Sequence, residues 1–266
     1  MCLALIAIAA HPGYRVVIAA NRDEYHARPA APAAWWDEGI LAGRDLKAGG
    51  TWLGVDRRGR FALVTNVRDP SRHDPGAPSR GALVPQLLRN PAAPSVSLPA
   101  VVLGGNRHNG FNLVAGDVAE LHWGSNRAAT PATLAPGIYG LSNHLLDTPW
   151  PKVERTKTAF ARWCADADVS LDPAPVFALL HDTARAPDAA LPATGVALEW
   201  ERVLSSPFIV SPDYGTRCST VLTIDYGGEV RLIERSFDPA GNATGEVDYR
   251  FRIQPQDGAR PGDRSH

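Results

Sequence analysis

Four times along the 266-residue chain, two short apolar runs are separated by a few residues that include glycine. Leu3–Ala9 and Val16–Ala20 flank Pro12-Gly13, and Thr51–Val55 and Phe61–Asn66 flank Arg57-Arg58-Gly59. Phe111–Ala115 and Val118–Trp123 flank Gly116-Asp117, and Thr220–Ile224 and Val230–Glu234 flank Gly227-Gly228. Glycine reaches the positive φ that tight strand reversals need, so each unit predicts a β-hairpin. Hairpins are antiparallel, and the absence of any βαβ unit of ~30 residues argues against a Rossmann-type parallel sheet. Val101–Leu103, bounded by Gly104-Gly105, reads as a further strand.

Helical patterns are fewer. Trp150 to Ala165 sets Val153, Lys157, Phe160 and Cys164 three and four residues apart, with Pro151 acceptable in a first turn. Ala174 to Ala184 follows the start signal Asp172-Pro173, and Gly81 to Arg89 is a third, shorter helix. Antiparallel strands with helices segregated in sequence predict an α+β class, sheets covered by helices. The Pro- and Ala-rich stretches 27–34, 91–100 and 186–195 read as surface loops. Residues 1–253 form one domain in this reading, and the polar 254–266 a disordered tail.

Charge excludes some partners. Twenty-seven Lys and Arg balance 28 Asp and Glu, which gives no electrostatic footprint for nucleic acid or an anionic membrane surface. The apolar start runs for only about eight residues, short of the ~18 a membrane helix needs, and it lacks the basic flank of a signal peptide. Three cysteines at positions 2, 164 and 218 fit neither a disulfide framework nor a zinc site. A reducing, cytoplasmic setting is the expectation. No pair among the eight histidines has the helix spacing of metal ligands.

Cys2 carries the chemistry that stands out. Removal of Met1 would leave a thiol and a free α-amine on one residue. The amine titrates at about 7.7–8.0 and is able to take the proton of the thiol, a strong nucleophile once ionised. Asn21-Arg22-Asp23-Glu24 follows the second apolar run, and a hairpin turning near Pro12-Gly13 returns that point to the start of the first run. A guanidinium there lowers a thiol pKa, and a carboxylate orients an ammonium. Each residue alone also has a plain structural use: Cys2 as a small apolar residue, the polar quartet as a solvated turn, Asn66 and Asn143 as turn caps, Arg217 as half of a surface ion pair.

The stretches Met1-Cys2, Ala19 to Tyr25, Arg28-Pro29, Ala42 to Asp45 and Gly49 to Gly54 resemble the NRDE family, also called the transport and Golgi organisation protein 2 family. Val64-Thr65-Asn66 with Arg68, Gly140 to Asn143, Pro149 to Lys152 and Tyr214 to Arg217 extend the likeness to about residue 235. More remotely, the layout resembles the cysteine N-terminal-nucleophile hydrolases, such as bile salt hydrolase and penicillin V acylase. That resemblance implies an αββα sandwich of antiparallel sheets and a site made of Cys2, Arg22, Asp23, Asn66, Asn143 and Arg217. It implies hydrolysis of an amide or thioester of a small acylated molecule, without metal or organic cofactor, with the asparagine amides as oxyanion donors. Arg22 and Asp23 are adjacent here, whereas the acylases separate the two by two residues, and neighbours on a strand face opposite ways. The family likeness also implies a second role, non-catalytic binding and trafficking of haem, acyl-CoA or another lipid on the same fold.

Overall fold

Gly59 and Gly228 close two of the hairpins at φ values of 76° and 79°, a conformation that costs glycine nothing. The other two reversals are built differently. Near Pro12-Gly13 the positive φ falls on Ala9, at 46°. After Gly116 the carboxylate of Asp117 accepts from the backbone N–H groups of Ala119 and Glu120. Side-chain capping does there what glycine does elsewhere.

The computed structural model describes residues 3–166 and 172–254. Cys2 and the predicted tail beyond Gln254 lie outside the described residues. In chain order, β1 (Leu3–Ile8) and β2 (Tyr14–Tyr25) are followed by β3 (Ala30–Trp35), β4 (Ile40–Asp45), β5 (Leu53–Asp56) and β6 (Phe61–Asn66). Helices α1 (Leu83–Arg89) and α2 (Pro94–Leu103) precede β7 (Phe111–Gly116), β8 (Leu121–Ser125), the short β9 (Ala132–Thr133) and β10 (Gly137–Leu141). Then come α3 (Pro151–Ala165), α4 (Ala174–Leu180), α5 (Leu198–Leu204), β11 (Tyr214–Asp225), β12 (Glu229–Phe237) and β13 (Ala243–Arg252).

The strands form two antiparallel sheets. One runs β10-β1-β2-β11-β12-β13, and the other is a meander of β3 to β9 in sequence order. Ile6, Ile18, Leu222 and Leu232 of the first sheet pack against Leu41, Val55, Leu63 and Val114 of the second, forming the central core. The outer face of the first sheet, with Leu5, Val17 and Ala19, is covered by Phe160, Cys164, Val176 and Leu180 of α3 and α4. The outer face of the second, with Ala62, Val64 and Leu113, is covered by Leu87, Leu88, Leu98 and Val102 of α1 and α2. The protein is an α+β sandwich layered helix, sheet, sheet, helix. Every residue of β1 is buried because both faces of its sheet are covered, so it reads as one apolar run without alternation. None of the described helices is long and apolar enough to cross a membrane.

Four local expectations are overturned. Val101–Leu103 is not a strand but the last turn of α2, and 91–100 is mostly that helix rather than a loop. Pro94 starts it and Leu98, Val101 and Val102 seat it on the second sheet, so packing overrides the β-branched pair. The stretch 27–34 contains most of β3, an edge strand. Asn21 to Glu24 belong to β2 itself and not to a turn after it, because β11 pairs with all four, Asn21 with Ser219 and Glu24 with Gly215.

Candidate functional site

The polar end of β2 divides by strand parity. Asn21 and Asp23 point away from the sandwich interior, and both are tied down. The Asn21 Nδ2 donates to the carbonyls of Leu180 and Pro207 at 2.8 and 2.9 Å, and its Oδ1 accepts from Ser219 Oγ at 2.6 Å. Thr216 Oγ1 donates to Asp23 Oδ1 at 2.6 Å and accepts from the Ile209 N–H. Asn21 is therefore a structural clasp between β2, β11, the end of α4 and the segment after α5. Arg22 points inward, is 4% exposed, and lies 4.5 Å over the ring of Trp52. Its Nη2 is 3.9 Å from Glu24 Oε2.

Arg22 stands opposite Cys218 on β11, where a bulge between Thr216 and Cys218 leaves Arg217 out of the ladder. The Nη1 of Arg217 donates to the carbonyls of Tyr25, His26 and Arg28 at 3.1, 3.2 and 3.1 Å, fixing the chain as it leaves β2. Both arginines line a cavity of about 370 Å³ between the open edges of the two sheets, together with Trp52, Cys218, Glu234 and Phe237. Burial and the neighbouring charge of Arg22 pull the Arg217 pKa down.

Glu234 is 1% exposed and links the sheets, its Oε1 accepting from the Ala33 N–H of β3 at 2.8 Å and its Oε2 from Thr220 Oγ1 at 2.9 Å. Burial pushes its carboxyl above the usual range. The same burial, with the Glu234 charge next in weight and Arg22 opposing, pushes the Cys218 thiol well up. Neither residue stands out in the sequence. The available signal was the Gly227-Gly228 hairpin, whose register brings Thr220 against Glu234 and Cys218 two residues further along.

Asn66 and Asn143 meet elsewhere. The Asn143 Nδ2 donates to the backbone carbonyl of Asn66 at 3.1 Å, using one of its two protons, and the Arg68 N–H donates to the Asn143 carbonyl at 2.7 Å. Arg68 then reaches Glu201 on α5 at 2.6 Å and lies 4.8 Å over the ring of Trp150. Asn66, Asn143 and Arg68 line a second cavity, of about 500 Å³, with Tyr25, Trp200 and Tyr214.

The described candidates thus fall into two groups and a remainder. Arg22 and Arg217 share one cavity, Asn66 and Asn143 share another, and Asp23 lies on the opposite face of its strand from Arg22. The stretches quoted for the family likeness converge on this end of the molecule through Arg28–Asp45 at 2.6 Å, Arg22–Trp52, Arg68–Trp150 and Asn143–Asn66. Among the described residues, no group of three or more His, Cys, Asp or Glu side chains is placed to hold a metal ion.

The sequence model of the family described as Transport and Golgi organisation 2 matches residues 1–239. The Transport and Golgi organization protein 2 homolog of Bos taurus is 38% identical over 263 residues, covering 91% of this chain and 94% of that protein. The homolog of Homo sapiens is 34% identical over 260 residues, with the same coverage of 91% and 94%. Among solved structures, the C2A mutant of a conjugated bile acid hydrolase from Clostridium perfringens superposes with a TM-score of 0.49 at 9% identity, covering 95% of this chain and 98% of that one.

Proposed function

The chain belongs to the Transport and Golgi organisation 2 family, and within it we propose the role of a cysteine hydrolase that cleaves an amide or thioester of a small acylated molecule. Cys2, made N-terminal by removal of Met1, is the nucleophile. Its α-amine takes the thiol proton, and the thiolate attacks the acyl carbon. In this scheme the acyl group reaches past Tyr25, whose carbonyl accepts from Arg217 and whose side chain lines the cavity of Asn66 and Asn143, and the oxyanion accepts from the side-chain amides of those two asparagines. Collapse expels the amine or thiol leaving group, which takes the proton back, and water then hydrolyses the acyl-cysteine thioester to the free acid. In this scheme Arg22 favours the thiolate, Asp23 favours the ammonium form of the α-amine between steps, and Arg217 supports the leaving-group side. Losing one oxyanion donor in such a site costs about 2.7–4 kcal/mol in kcat.

The register of the first hairpin carries this reading. Leu3 stands opposite Asn21, so the strand that follows the cysteine in sequence starts beside the residue before Arg22, the buried guanidinium of the inner cavity. A cation 4% exposed needs an anionic partner or a role, and a thiolate supplies one.

The test is turnover of acyl thioesters and acyl anilides of graded chain length by the full chain and by Cys2→Ala. The wild type should release the leaving group from at least one of them and pass through an acyl adduct on Cys2 visible by mass. The variant should do neither. Turnover that survives Cys2→Ala contradicts the proposal, as does binding of the probes with no turnover by the wild type, which points to a carrier instead.

A further inference from the structure

Two guanidiniums share one wall of the inner cavity, and their hydrogen-bonding capacity is not used up. Arg22 Nη1 and Arg217 Nε are both buried without a hydrogen-bond partner among the described residues. The ion pair given to Arg22 is a long one, 3.9 Å to Glu24, and Glu24 also faces Arg28 at 3.7 Å. Like charges packed together away from water destabilise each other unless an anion joins them, and a planar carboxylate matches the guanidinium fork. The rest of the lining is mixed, with Glu234, Ser236, Thr244 and Glu246 among apolar side chains. Trp52 and Phe237 are its aromatic lining, joined by Ala30, Pro32 and Val247. A volume of about 370 Å³ is in the range of small-molecule sites.

We propose that this cavity binds a small monocarboxylate with an apolar body, its carboxylate on Arg22 and Arg217 and its body between Trp52 and Phe237. The inference rests on the hydrolase reading for its biological sense, since it makes the carboxylate a handle of the substrate or of one product, but binding itself needs no covalent step. One negative charge suits the site better than two. Glu24 offsets part of the two positive charges, and of the two carboxylates that line the cavity Glu246 is itself paired with Arg235 and Glu234 is tied to Ala33 and Thr220.

The test is calorimetric titration of the full chain with 4-phenylbutyrate and with its neutral isostere 4-phenylbutanamide, at low and at raised salt. The carboxylate should bind about tenfold tighter or better, as expected for charge-assisted hydrogen bonds, and the advantage should shrink as salt rises. Ala31→Glu places a carboxylate on the half-buried edge-strand wall without removing either arginine, and it should weaken 4-phenylbutyrate about tenfold and leave the amide unchanged. Arg22→Gln is the second variant and should erase the preference for the acid. Equal affinity for acid and amide, no binding of either, or a folded Ala31→Glu protein that keeps wild-type affinity overturns the proposal. Repeating the titration with Cys2→Ala separates it from the hydrolase reading. Binding that survives in a protein whose wild type shows no turnover sinks the hydrolysis alone, whereas turnover without preference for the acid sinks the carboxylate site alone.

Discussion

The guanidinium of Arg22 lies 4.5 Å over the indole of Trp52, so a cation from one sheet and an aromatic ring leading into the other meet inside the sandwich. The pair joins two stretches about 30 residues apart in the chain and sets one wall of the inner cavity. A cation over an indole contributes about 0.5–2 kcal/mol, the upper end applying to desolvated pairs such as this.

Gly43 on β4 is the floor under that ring. A Cβ there would come within 2.2 Å of Trp52 Cζ2 and 2.4 Å of Cη2, and Trp52 is itself core. Gly43→Ala should therefore destabilise by about 1–3 kcal/mol, the usual range for overpacking, and displace Trp52 from Arg22. Urea unfolding measures the loss. A variant as stable as the wild type would mean that the ring moves freely and is no fixed wall.

Glu201 holds α5 in place. It accepts from Arg68 at 2.6 Å and from the Thr194 N–H at 3.0 Å, and its side chain is 4% exposed. Glu201→Ala removes the carboxylate from a mostly buried ion pair and should cost about 3–5 kcal/mol, with Glu201→Gln milder because the Thr194 bond survives. Hydrogen exchange should quicken across 194–204 in the alanine variant before it does so in the core strands. Uniform exchange in both proteins would remove Glu201 from this role.

Glu234 makes stability depend on pH in a definite direction. Burial raises its folded-state pKa above the ordinary 4.5, so the folded chain holds this proton more tightly than the unfolded chain does. That contribution is fully present below about pH 4.5 and is lost as pH rises through the folded-state value. Glu234→Gln, which mimics the protonated acid, should gain on the wild type progressively from pH 4.5 upward in urea midpoints. A difference that stays constant with pH, or shrinks, would show that the carboxylate is as stable in place as the acid.

The hairpins and α3 were legible because apolar runs, glycine turns and a spacing of three and four are local signals. Asn21 to Glu24 looked like a turn because the partners that make four polar residues tolerable in a strand, Leu180, Pro207, Thr216 and Ser219, lie more than 150 residues away. The alternation that does predict opposite faces for Arg22 and Asp23 was readable, since it depends only on the strand. In β13 the signal is present, with Val247, Tyr249 and Phe251 alternating with Glu246, Asp248 and Arg250 beside the Gly241 turn, but the polar half of the strand dilutes its apolar run. The pairing of Cys218 with Glu234 and Arg22 depends on register across three strands, which no short stretch of sequence displays.

In the proposed hydrolase Cys2 is the one reactive thiol and carries a free α-amine. The other two cysteines are buried, with the Cys164 thiol pushed up to about 12 and that of Cys218 raised as well, so neither supplies thiolate near neutral pH. Intact mass and N-terminal sequencing of the native protein, before and after brief treatment with limiting iodoacetamide at pH 7, test this directly. The expected product is a chain that begins at Cys2 and takes up one label, on Cys2. A chain that retains Met1, or a label that falls on Cys164 or Cys218 in place of Cys2, contradicts it.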